Sequence, residues 1–118
     1  MTWPLVDRPK EFPAAIVSHR LAAQAIDAIL LPVGEAWFRA LTKDKRLKLY
    51  TDGIHPTSLG GDIAVLTIFF ALFPAGPQEF TEAYVAKIAK TLEIPEDRRD
   101  LFFDVATLAI DEPLNFKE

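Results

Sequence analysis

Ala28-Ile29-Leu30-Leu31-Pro32-Val33 is an unbroken apolar run closed by Gly34. Its length and lack of polar alternation suit a strand buried on both faces, as in a parallel sheet. Pro32 has no amide hydrogen to donate, which places the end of that strand at the sheet rim. Upstream, Phe12, Ile16, Ala22, Ala23 and Ile26 fall near helical spacing, while Arg20, Gln24 and Asp27 lie off the stripe. This spacing predicts a helix from about Glu11 to Asp27, with Pro13 in its first turn. Residues 1–9 carry Pro4 and Pro9 among apolar Trp3, Leu5 and Val6, and read as the end of a strand entering a loop.

Beyond the run, Gly34 to Leu41 predicts a short helix and Thr42 to Lys48 a polar loop. A third helix starts at Pro56, Thr57 or Ser58, all of them residues favoured at a helix start, and runs to Phe73. Pro74 and Ala75-Gly76-Pro77 forbid its continuation. Phe80, Tyr84, Ile88 and Leu92 repeat every four residues, the stripe of a further helix. A last helix begins near Pro95, with Glu96 and Asp97 at the positive end of its dipole. Leu101, Phe102, Val105, Leu108 and Ala109 supply its buried face, and Pro113 ends it. The order predicts an α/β chain, rich in helix, with a C-terminal two-helix extension.

A chain of 118 residues suits one domain or a piece of one, and half of it is apolar. That is enough to bury a core and is unlike a disordered protein. The absence of cysteine excludes disulfides and thiolate metal sites. The first residues lack the basic stretch and apolar core of a signal peptide. The longest apolar run, Ile63 to Phe73, is interrupted only by Thr67 and is shorter than the ~20 residues that span a bilayer. These features read as a cytoplasmic chain without a membrane span. The net charge is −4, with five basic and ten acidic residues in 79–118. An acidic tail argues against a nucleic-acid partner, which wants a basic footprint. The cluster Lys43, Lys45, Arg46 and Lys48 reads as a solvated loop.

Asp52-Gly53-Ile54-His55-Pro56 carries the chemistry. Gly53 and Pro56 keep this stretch from being ordinary helix. An imidazole acting as a base needs a carboxylate to fix its tautomer and to stabilise the imidazolium. A three-residue offset in a tight turn lets Asp52 reach Nδ1–H of His55, leaving Nε2 free. The plain structural alternative is that Asp52 caps a turn and His55 packs beside it. Gly60-Gly61 follows, two glycines that mark either close approach of another backbone or a loose first turn. His19 reads as a helix-surface residue. Trp3, Trp37 and Phe38 read as core or pocket wall. A metal cluster of Asp52, His55 and Asp62 is the weakest reading, and no cofactor is implied.

On these residues the chain resembles the C-terminal portion of an SGNH-type (GDSL-like) hydrolase. Asp52-Gly53-Ile54-His55-Pro56-Thr57-Ser58-Leu59-Gly60-Gly61 looks like the family's last motif block, Asp-x-x-His-Pro followed by glycine. Ala22-Ala23 through Ile29-Leu30-Leu31-Pro32-Val33-Gly34-Glu35-Ala36-Trp37 is similar to the helix, final strand and following segment that precede the block. The resemblance covers residues 1–75 and implies a partial three-layer α/β/α sandwich with a parallel sheet. It assigns residues 1–78 to that domain and leaves 79–118 as the helical extension. It implies a serine ester hydrolase acting on ester or acetylated small-molecule or carbohydrate substrates, with His55 as general base and Asp52 orienting it.

The family's nucleophile and oxyanion blocks have no counterpart here. The only serines are Ser18 and Ser58, and the only asparagine is Asn115. The expectation is a C-terminal fragment that is inactive alone. A truncated sheet leaves open edges, so self-association or a partner chain is expected. The competing reading is a non-catalytic helical interaction or binding domain that keeps the family's loop.

Overall fold

The computed structural model describes residues 1–73 and 81–116. After a 3-10 turn at Pro9–Glu11 come helices α1 (Phe12–Ala25) and α2 (Val33–Lys43). Helix α3 (Ser58–Leu72) and, beyond the undescribed stretch, α4 (Glu82–Thr91) follow. A second 3-10 turn, Glu96–Arg98, leads into α5 (Arg99–Asp111). The Pro74 stop, the Ala75-Gly76-Pro77 break and Phe80 lie outside the described residues.

Local chemistry explains most of the helix boundaries. Pro13 sits in the first turn of α1, where its missing amide hydrogen costs nothing. Helix α1 ends when Asp27 turns left-handed at φ 51°, and the amides of Asp27 and Ala28 bond back to Gln24 and Ala23. Thr57 caps α3 by accepting from the Gly60 amide at 3.2 Å. Thr81 caps α4 through the Tyr84 amide. Glu93, left-handed at φ 57°, closes α4 with bonds from its own amide and that of Ile94 to Lys90 and Ala89.

No strand or sheet exists among the described residues, so the expected α/β class and its parallel-sheet sandwich are corrected to an all-helical fold. Residues 28–32 leave α1 as an irregular connection, and Val33 already belongs to α2. A strand is stabilised by ladder hydrogen bonds to a neighbour. Here the Ala28 amide turns back into α1, the Val33 amide bonds to Leu31, and Ile29 is 74% exposed. Residues 1–8 are likewise loop rather than strand.

The core lies where α2, α3 and α5 meet. Ala36, Trp37 and Ala40 of α2, Ile63, Leu66 and Phe70 of α3, and Phe102, Val105, Ala106 and Ala109 of α5 form one cluster. Helix α1 adds Phe12 against α2. The thinnest dimension is 20 Å, about two helix diameters.

Candidate catalytic site

The chain between α2 and α3 forms a small hairpin-like loop. The Thr57 amide donates to the Leu49 carbonyl at 2.9 Å and the Thr51 amide to the His55 carbonyl at 2.8 Å. Tyr50 and Pro56 face each other in an isolated antiparallel bridge. Asp52, Gly53 and Ile54 make the tip. Gly53 has φ 90°, a value that side-chain-bearing residues rarely adopt.

Asp52 organises this tip with both carboxylate oxygens. Oδ1 accepts the amides of Ile54 at 3.1 Å and His55 at 2.8 Å. Oδ2 accepts from Nδ1 of His55 at 2.6 Å. These contacts push the Asp52 carboxyl well below its usual range, the His55 amide contributing most, then the His55 ring, then the Ile54 amide. The folded value lies below the ordinary 3.8, so the stabilisation is present above that pH and is lost progressively as the pH falls from there through the folded value.

A carboxylate can only accept, so Nδ1 carries the proton and the neutral ring presents Nε2 as an acceptor. The His55 side chain is 72% exposed, and Nε2 makes no hydrogen bond among the described residues. The pair can therefore take a proton from an approaching hydroxyl.

The attacking group is not beside it. Ser18 lies in α1 with its hydroxyl on the Ala14 carbonyl. Ser58 is exposed at the first residue of α3 and makes no hydrogen bond to His55. His19 bonds to the Ala15 carbonyl within α1. No cluster of three or more metal-ligating side chains gathers among the described residues. Asp62, on α3, has its carboxyl raised by burial and by the nearby charge of Glu93.

The tryptophans form the floor under the loop. Trp37 is fully buried, and its Nε1 donates to the Gly60 carbonyl at 3.1 Å. Trp3 stacks on it with ring centroids 3.8 Å apart and planes 8° from parallel. Trp3 Nε1 donates to the Ile54 carbonyl at 2.8 Å. The expectation for Trp3, core or pocket wall, did not include its grip on the loop. The pairing of positions 3 and 54 leaves no local signature. Beside the loop, Val6, Phe12, Phe38, Leu41, Leu47 and Tyr50 line much of an apolar cleft of about 510 Å³. Burial pushes the Tyr50 hydroxyl up to about 12, and that hydroxyl donates to the Pro4 carbonyl at 2.7 Å.

No family model, no curated protein and no solved structure matches the chain. No helix among the described residues is long and apolar enough to cross a membrane.

Proposed function

We propose that Asp52 and His55 are the general-base pair of a serine-type ester hydrolase, with the attacking hydroxyl supplied from outside these 118 residues. The observation that carries this reading is the 2.6 Å contact from Nδ1 to Asp52 with Nε2 left open to solvent. The ring is held at its inner nitrogen and presented at its outer one.

In that reaction Nε2 takes the proton of a serine hydroxyl as its oxygen attacks the ester carbonyl carbon. The tetrahedral adduct collapses, the carbon–oxygen bond to the leaving alcohol breaks, and the alcohol takes the proton from Nε2. Water then repeats the sequence on the acyl-enzyme, releasing the acid and restoring the serine. Asp52 keeps the ring in the needed tautomer and balances the imidazolium throughout.

A fluorophosphonate probe tests the nucleophile's origin. The 118-residue chain stays unlabelled, and stoichiometric labelling at Ser58 or Ser18 overturns the external nucleophile. In the assembled hydrolase, His55→Ala lowers kcat by up to about 10⁶ and Asp52→Asn by about 10⁴. Unchanged turnover in His55→Ala removes the reading.

The exposed apolar residues Leu21, Ile26 and Ile29 favour a second reading, a non-catalytic helical interaction domain. It expects partner binding that His55→Ala leaves intact and that charge placed at Ile26 or Ile29 abolishes.

A further inference from the structure

We propose that Trp3 is a positioning residue for the Asp52–His55 pair, acting through the Ile54 carbonyl. The proposal rests on the general-base reading for its functional meaning, but its geometry stands apart from it.

The loop tip has little packing to hold it. Asp52, Ile54, His55 and Pro56 are all exposed. The bonds from Asp52 to its own neighbours define a local turn but do not fix where that turn points. Among the described residues, two hydrogen bonds from outside the loop reach the tip, and both come from the first six residues. Val6 donates its amide to the Gly53 carbonyl at 2.9 Å, and Trp3 donates Nε1 to the Ile54 carbonyl at 2.8 Å.

The second of these bonds matters more because of which peptide it touches. The Ile54 carbonyl and the His55 amide belong to one planar unit. Trp3 holds its oxygen, while Asp52 Oδ1 holds its N–H at 2.8 Å. The plane that leads into His55 is thus pinned at both ends. A plane pinned at one end can swing, and the Nδ1 contact to Oδ2 swings with it.

Trp3 is itself anchored to rigid material. Its ring lies face to face on Trp37, which is fully buried. The next residue's carbonyl accepts the Tyr50 hydroxyl. The loop around Thr2 rests directly on α2, where a β-carbon at Gly34 would lie 2.1 Å from the Thr2 carbonyl oxygen. Buried Trp37 is thus linked, through the stacked Trp3 ring and its indole N–H, to the peptide that leads into His55.

Trp3→Phe keeps an aromatic ring for the stack and removes the donor. In the folded variant, the low-field Nδ1 proton resonance of His55 is lost and its amide exchanges roughly tenfold faster. Amides within α3 keep their wild-type rates. A folded Trp3→Phe with the His55 resonance and exchange unchanged overturns the proposal. Should that variant fail to fold, benzothienylalanine at position 3 keeps the ring area and lacks only the N–H. The same loss of signal in it supports the proposal. An unchanged signal overturns it, and so does failure of that variant to fold, because the N–H would then serve the fold. Hydrolysis surviving His55→Ala would remove the general-base reading and leave this positioning result standing.

Discussion

Gly60 and Gly61 are neighbours in sequence with opposite demands in space. A β-carbon at Gly60 would lie 2.6 Å from both the Leu49 carbonyl oxygen and Cζ2 of buried Trp37. One at Gly61 would meet nothing within 4 Å. Close backbone approach thus holds for the first glycine, and a merely permissive turn of helix for the second. Gly60→Ala is expected to cost about 1–3 kcal/mol, the range for forcing atoms into a packed core. Gly61→Ala is expected to stabilise by up to about 1 kcal/mol through helix propensity. Urea unfolding of both variants checks the pair, and equal effects of the same sign would sink the distinction. The sequence offered both explanations and had no means to divide them, because the partners of Gly60 lie 11 and 23 residues upstream. The Asp52–His55 contact was legible for the opposite reason. Its two ends are three residues apart, and Gly53 and Pro56 announce the turn that joins them.

Helices with local signals were legible, and contacts made across the chain were not. Pro13, Thr57 and the four-residue apolar stripe of α4 each act within a turn or two of themselves. The run from Ala28 to Val33 carries no such signal, because a strand exists only through a neighbour and apolar composition alone does not name one. Glu35 is the clearest case of what escaped. It sits in the first turn of α2, where an acid is unremarkable, yet its side chain is fully buried. Arg20 reaches Oε2 at 2.7 Å, Arg39 reaches Oε1 at 3.4 Å, and the Leu114 amide donates to Oε1 at 2.6 Å. The same arginines hold the tail after α5, through the carbonyls of Leu114 and Glu112. One carboxylate therefore joins α1, α2 and the C-terminal segment. Glu35→Ala strands two partly buried guanidinium groups and is expected to cost about 3–5 kcal/mol. Denaturant melts measure that cost, and exchange at the Leu114 amide reports release of the tail. A loss no larger than that of an exposed Glu11→Ala control would show that the clamp contributes nothing.

At the scale of the whole molecule, the end of α1 presents an apolar surface that the described residues leave exposed. Leu21, Ile26 and Ile29 are 47, 77 and 74% exposed, and the alanines at 22, 25 and 28 are exposed beside them. Apolar residues on a surface are ordinary when scattered, but these follow one another along the end of α1 and the irregular connection after it. Burying such a patch gains roughly 25 cal/mol for each Å² removed from water, which favours association of copies or capture of another chain. The net charge of −4 opposes association between copies. Salt screens that repulsion and leaves the apolar term in place, so self-association is expected to strengthen as ionic strength rises. An association held by ion pairs would weaken instead. Sedimentation velocity across a concentration and salt series separates the two. The double substitution Ile26→Asp, Ile29→Asp is expected to return the chain to a monomer with its helix content unchanged. Wild-type protein that stays monomeric at high concentration and high salt would mean that the patch is tolerated in water. The helices would then need no further surface to be complete.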